Sequence, residues 1–279
     1  MRSKRTLAIA LAALAVMALP AIAFGRPIFV GGSTSVEPLA KKLAAAYHHA
    51  FPKRPIVKVS GGQSDIGISG VASGRFDIGD SSRDPEKTDP HHLLFIKIAR
   101  DAVCVVTNQS NPLETISKQT VERIYTGVYT NWAEVPGAAA SLKNSHTPIS
   151  VFDRDSASGT QDAFRHIFLP LPGSEVPQQV TPRASALASN GQERAAVQGT
   201  PGAIGFVSLA FTSGVHAVPY EGVPCTLHNA RSGQYRGTRN FWMVTHGQPK
   251  GQTLKFLRWV ISGNATTKRI INSNWIAVH

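Results

Sequence analysis

Cysteine, methionine and acid are scarce in this 279-residue chain: two Cys, three Met, and 17 Asp and Glu against 29 Lys and Arg. Cys104 and Cys225 lie too far apart to suggest a metal site, and neither belongs to a Cys-x-x-Cys pair. They leave two readings open. An oxidising compartment would permit a disulfide, and the apolar run 102–107 around Cys104 suits a buried free thiol equally well. No block of five basic residues marks a nucleic-acid tail. No Gly-x-Ser-x-Gly elbow is present for a serine hydrolase. Internal repeats and low-complexity linkers are also missing. Beyond the N-terminus there is no apolar run of about 18 residues, so no membrane helix is expected there.

The N-terminus carries a targeting signal. Arg2, Lys4 and Arg5 precede an apolar stretch over 7–19, and Ala21-Ile22-Ala23 has the small-x-small form of a secretory cleavage site. Cleavage is expected after Ala23, and no Cys follows the apolar stretch to take a lipid anchor. Three of the 29 basic residues leave with the signal, so 26 face 17 acids, a net of +9. An exported, soluble, basic protein meets small anions, polysaccharide or anionic lipid sooner than a chromosome. The remaining length suffices for one large core or two smaller ones.

Short apolar strands alternate with helical patterns. Strands are expected over 28–30, 56–59 and 76–79, with helices over 36–51 and 66–73 between them. This βαβαβ rhythm predicts a parallel α/β sheet. A long extended segment covers 96–107. The rhythm then resumes with a helix over 120–125, a strand over 149–152, a helix over 160–168 and a strand over 203–207. A strand over 241–244 and an amphipathic helix over 253–261 close the chain. Two such units without a flexible join suggest two lobes packed about a cleft.

Four loops share one design: Gly31-Gly32-Ser33-Thr34-Ser35, Gly61-Gly62-Gln63-Ser64-Asp65, Asp80-Ser81-Ser82-Arg83, and Arg154 through Thr160. Each follows a strand, and three lead into helices. Loops at the carboxyl ends of parallel strands face a crevice. Glycine admits backbone N–H groups close to an anion, a helix N-terminus leaves such donors unpaired, and hydroxyls and an arginine fork add more. Any one of these loops is explained as well by helix capping. Four together, with two arginines, point to a tetrahedral oxyanion.

The stretches "GGSTSVEPLAKKLAAAY", "VSGGQSDIGISGVASGRFDIGDSSRD", "YTGVYTNWAEV", "ISVFDRDSASGTQDAFRHIF", "TPGAIGFVSLAF" and "SGQYRGTRNFWMVT" resemble, in order and spacing, the phosphate-binding proteins of bacterial phosphate ABC transporters. The likeness is to the short form of that type II periplasmic solute-binding family, and it covers nearly all of the chain after the signal. It implies two α/β lobes joined by two crossover strands, near 98–100 and 232–237, with ligand in the cleft between them. Lobe 1 would hold 24–98 and 233–279, and lobe 2 would hold 99–232. It implies a periplasmic, monomeric binding protein that delivers inorganic phosphate to a membrane permease, without enzyme activity, cofactor, metal or nucleic-acid partner. Carried over by motif, the ligand set is Thr34, Ser35, Ser64, Ser82, Arg154, Ser158, Gly159 and Thr160.

Three positions depart from the family pattern. Ala157 stands where glycine is usual, which suggests a modified turn. Ser82 replaces the aspartate that better-known members use to accept a phosphate proton, and Asp65 replaces a glycine. Asp65 therefore joins the expected ligand set as the missing proton acceptor, its alternative being a solvent-facing helix-cap residue. Sulfate, molybdate or tungstate remain alternative ligands, and a phosphatase-like hydrolase is the less favoured class. Asp155 is expected to orient Arg154, Arg239 to form a structural ion pair, and Arg83 to brace its loop. Trp132 and Trp242 read as packing, and the pairs His48-His49 and His91-His92 as solvated.

Overall fold

The structure is a computed structural model and describes residues 25–278. The expected signal, residues 1–23, lies outside the described residues. Nine strands occur among the described residues: β1 Ile28–Ser33, β2 Val57–Gly62, β3 Ile78–Ser81, β4 Leu93–Thr107, β5 Ser150–Arg154, β6 Ser185–Leu187, β7 Ala203–Ser208, β8 His216–Ala217 and β9 Thr238–His246. The α-helices are α1 Glu37–Ala50, α2 Ser64–Ala72, α3 Lys118–Tyr125, α4 Ala140–Asn144, α5 Gly159–Phe168, α6 Asn190–Gly199, α7 Leu227–Arg231, α8 Gly251–Ile261 and α9 Ala265–Asn274.

The strands form one sheet in the order β2-β1-β3-β9-β4-β7-β5-β6, with β8 beside β4. β1 pairs in parallel with β2 and β3, and β5 with β6 and β7. The all-parallel expectation fails at the centre. There β4 and β9 run antiparallel to each other and to their outer neighbours β7 and β3. These two long strands cross the middle of the molecule, and their register shifts between Lys97 and Ala99.

Two apolar cores flank this centre. One joins β1, α1, β3, the first part of β4, β9 and α8 through Val30, Leu39, Leu43, Ile78, Phe241 and Phe256. The other is built from the rest of β4, α3, α5 and β7 around Val105, Tyr125, Phe164 and Phe206. Membership changes between Ala99 and Ala102 on β4, and between Tyr235 and Phe241 on the way into β9. The rings of Phe164 and Phe206 stack with centroids 3.9 Å apart. A disulfide joins Cys104 to Cys225 inside the second core, with Cα atoms 5.7 Å apart, which decides between the two readings left open by sequence.

The first strands run further toward their C-termini than periodicity suggests. Gly31-Gly32-Ser33 and Gly61-Gly62 belong to β1 and β2 and pair as Gly32↔Gly61 and Ser33↔Gly62. Glycine is required at 32, where φ is 142° and an added Cβ would strike the Asp80 carbonyl.

Candidate functional site

β1, β2 and β3 end side by side, and α1 and α2 begin where β1 and β2 stop. β5 ends at Arg154 on the other side of the cleft, where Ser158 caps α5 by accepting from the N–H groups of Thr160 and Gln161. The helix starts therefore face each other, and their small hydroxyl residues meet. Ser35 Oγ lies 3.0 Å from Thr160 Oγ1. Ser33 donates to Ser82 Oγ at 2.8 Å, and the Ser82 N–H donates to Ser64 Oγ at 3.0 Å. Ser33, Ser35, Ser64, Ser82, Ser158 and Thr160 are all buried. Gly159 lets the two sides touch. A Cβ there would collide with Ser64 Oγ and stand 2.8 Å from both Ser82 Oγ and the Arg83 nitrogen.

Arg239 sits among these hydroxyls. Its Nη2 donates to Ser35 Oγ at 2.8 Å and to Asp101 Oδ2 at 3.0 Å. Its Nη1 donates to Ser82 Oγ and to the Gly159 carbonyl, each at 3.3 Å. Asp101 and Arg239 are register partners on β4 and β9. The ion pair expected for Arg239 is present, and the same side chain also reaches both sides of the cleft. Burial raises the Asp101 carboxyl, and Arg239 opposes that shift. Burial also lowers the Arg239 guanidinium, against the pull of Asp101.

Asn190, at the start of α6, is a second junction that the sequence reading missed. It is fully buried, and its Nδ2 donates to Ser35 Oγ at 2.8 Å and Thr34 Oγ1 at 3.1 Å. Its Oδ1 accepts from the Ser208 N–H at 2.9 Å, which fixes the orientation of the amide. The signal available was Ser189-Asn190 followed by helical residues, a capping pattern that gave no hint of a long-range partner.

Arg154 is buried at the end of β5. Its Nε donates to the Leu187 carbonyl and its Nη2 to the Ala188 carbonyl, both at 2.8 Å, while Nη1 has no hydrogen-bond partner among the described residues. Glu193 Oε2 lies 3.9 Å from Nε. Burial pushes the Glu193 carboxyl up to about 8 despite Arg154, and lowers the Arg154 guanidinium. Asp155, expected to orient Arg154, instead accepts from Gln63 across the cleft. Two carbonyls and Glu193 hold the arginine.

Asp65 is turned away from the hydroxyls. Its side chain is 45% exposed, and Oδ1 accepts from Arg83 Nε at 2.7 Å. Arg83 also binds Asp89 and the Asp84 carbonyl, so it braces its loop as read from sequence. Burial works against the Arg83 charge, but the hydrogen bonds to Asp89 and Asp65 outweigh it and make the group more basic than usual. Ala157 has no positive φ, and its carbonyl accepts from the Asp65 N–H at 3.2 Å. The turn is thus formed without the positive φ that a glycine would allow. Trp132 is core, with its Nε1 on the Gly202 carbonyl, and Trp242 donates to Asp84. The four histidines of the two adjacent pairs are exposed.

This arrangement has the elements of an oxyanion trap: hydroxyls from facing helix starts, two buried arginines, and a backbone close enough to require glycine. A family model described as a PBP superfamily domain matches residues 20–264. The chain belongs to the PBP superfamily. It is 25% identical over 258 residues to the phosphate-binding protein PstS of Bacillus subtilis, a match covering 89% of this chain and 80% of that one. A candidate phosphate ABC transporter substrate-binding protein of Clostridium perfringens, solved with phosphate bound, superposes with a TM-score of 0.80 at 28% identity, over 91% of this chain and all of the other. An ABC-type phosphate transport receptor of Vibrio cholerae gives 0.68, also at 28% identity, over 89% of this chain and 99% of the other. The α/β architecture is therefore shared with these two phosphate-transport proteins.

Proposed function

We propose that the protein is an exported solute-binding protein that captures inorganic phosphate between two lobes and hands it to an ABC-type permease. The observation that carries this reading is the convergence of Ser35, Ser82 and the Gly159 carbonyl on Arg239, with Thr160 against Ser35. The phosphate-bound relative of the same architecture supports it. The lobes are 24–98 with 233–279, and 99–232; the change of core falls a few residues from these bounds, between Ala99 and Ala102 and between Tyr235 and Phe241. In this reading Thr34, Ser35, Ser64, Ser82, Ser158, Gly159 and Thr160 surround the anion. Arg154 offers its unpartnered Nη1, and Arg239 joins the set. Asp65, tied to Arg83, is left out.

Capture needs no chemistry on the ligand. A hydrolase would need a base beside one of the serines, and the side chains bonded to them are hydroxyls, an amide and the Arg239 guanidinium. Each charge-assisted hydrogen bond contributes about 1.5–3 kcal/mol before desolvation is subtracted. Several such bonds suffice for a Kd of about 1 μM, or roughly −8 kcal/mol. The chain acts as a periplasmic monomer after loss of residues 1–23, with no nucleic-acid partner and no cofactor.

Calorimetry on purified protein, stripped of ligand by unfolding and refolding, tests this. One phosphate per chain at about micromolar Kd or tighter is expected. Silence toward phosphate would leave the fold in place and overturn the function.

A further inference from the structure

The basic residues are unevenly placed. Residues 24–98 and 233–279, the half that holds the first core, carry 17 Lys and Arg against seven Asp and Glu, while 99–232 carries nine against ten. The basic excess therefore belongs to one half of the molecule. It is steepest at the end of the chain, where 222–279 holds eight Lys and Arg and no acidic side chain.

Three helices display this charge. α1, α8 and α9 send their apolar sides into the first core through Leu43, Phe256 and Ile271. They also touch one another. The Tyr47 ring of α1 lies 5.1 Å from Phe256 and 5.4 Å from Trp259 of α8, and Lys42 Nζ of α1 lies 5.3 Å from the Trp275 ring that follows α9. Their outer sides thus make one surface, on which Lys41, Lys42, Lys255, Arg258, Lys268 and Arg269 are all exposed. The one acidic side chain on these helices is Glu37, and it is paired with Lys41. Among the described residues the other five cations have no ion-pair partner. On α8, Lys255, Arg258 and Ile261 follow one another at three-residue spacing, and Ile261 is 41% exposed. Lys268 leans over the turn just beyond, its Cε 3.4 Å from where a Cβ on Gly263 would stand.

We propose that this three-helix face adsorbs the protein to a bilayer that contains anionic phospholipid. The inference goes beyond the capture of phosphate and does not depend on it. Unpaired charges on long, flexible stems suit mobile headgroups better than a partner of fixed geometry. Such stems lie along apolar surface while their charged ends reach the headgroups, and Ile261 supplies an apolar contact at that boundary. Each cation near an anionic surface raises binding about fivefold, so several in one plane act together. No residue of the hydroxyl cage belongs to this face, and its charges can be removed without touching the anion site.

The test is co-sedimentation of the mature chain with vesicles of phosphatidylcholine alone and of phosphatidylcholine mixed with phosphatidylglycerol. Binding is expected to the mixed vesicles only, and to weaken as salt shortens the Debye length to about 8 Å at 0.15 M. Two variants with the same loss of net charge separate the face from the total. Lys255→Gln/Arg258→Gln/Lys268→Gln/Arg269→Gln should bind the mixed vesicles about a hundredfold more weakly or worse. Lys118→Gln/Lys143→Gln/Arg183→Gln/Arg194→Gln, in the other half, should stay within about fivefold of the unsubstituted chain. Melting curves and phosphate calorimetry on both variants should match the unsubstituted chain, so a loss of adsorption is read apart from folding and capture. Equal losses in the two variants would mean that net charge alone is sensed and would overturn the inference. Failure to bind the mixed vesicles would overturn it too, as would binding to soluble polyglutamate without binding to vesicles, which would give the face to an acidic polymer.

Discussion

At Arg239 one guanidinium serves two purposes that separate under mutation. It neutralises Asp101, which is 1% exposed, and it touches Ser35, Ser82 and Gly159. Arg239→Met should lower stability by about 3–5 kcal/mol, because an uncompensated carboxylate remains buried. The double variant Arg239→Met/Asp101→Leu should regain most of that stability while phosphate affinity stays at least about a hundredfold down. Denaturant titration and calorimetry on both variants check this. Recovery of affinity in the double variant would reduce Arg239 to a structural residue. Asn190 shows the same logic at lower charge, since a fully buried amide is tolerated only because all its polar atoms are bonded.

Helix α6 presents two polar residues to the interior, three positions apart and so on one face. Asn190 meets the hydroxyls, and one turn later Glu193 accepts from the Phe206 N–H and stands behind Arg154. A carboxyl raised to about 8 holds its proton in the folded state at pH values where the unfolded chain has lost it. Folding is then favoured on the acid side, and stability falls as pH rises from the unfolded value of 4.5 toward about 8. Asp153, raised to about 6 mainly by burial, acts in the same direction over a narrower window. Glu193→Gln should therefore flatten the loss of stability between about pH 5 and pH 8 without abolishing it. Thermal unfolding midpoints across that range check this, and an unchanged slope would show that Glu193 is ionised throughout. The disulfide acts on the same core, closing a separation of 121 residues between β4 and the segment before α7. In the chain-entropy picture such a loop is worth on the order of 4–5 kcal/mol.

Across the whole molecule the two cores meet at the hydroxyl cage and along β4 and β9. The hydrogen bonds between them include Ser35 with Thr160, Asn190 with Thr34 and Ser35, Arg239 with the Gly159 carbonyl, Gln63 with Asp155, Arg231 with the Asn272 and Trp275 carbonyls, and the Asp65 N–H with the Ala157 carbonyl. A joint of this kind can open while each core stays intact. Gly159 is the closest point of approach. Gly159→Ala should leave the thermal midpoint within a few degrees of wild type and still weaken phosphate binding by about a hundredfold or more, since the sides can no longer close. Calorimetry paired with a melting curve reads both effects, and undiminished binding would show that closure needs no such contact.

Periodicity and turn chemistry alone determined the alternation of strands and helices and the four hydroxyl-rich loops. These signals are local and depend on residues a few positions apart; the choice of Ser35, Ser64, Ser82, Ser158, Gly159 and Thr160 within those loops came from the family resemblance. The reading of Gly31-Gly32 and Gly61-Gly62 as turns failed because parallel pairing between β1 and β2 carries even glycine into the sheet. Helix α6 escaped notice because its periodic apolar signal is weak, only Val197 among its apolar residues being fully buried. What only the tertiary structure decided are the long-range partners. Cys104 pairs with Cys225, Asp65 goes to Arg83, and Asp155 to Gln63. Arg239 reaches the cage from 204 positions beyond Ser35, and Asn190 from 155. No local pattern encodes such meetings. They follow from the antiparallel register of β4 on β9 and from the closing of one core against the other.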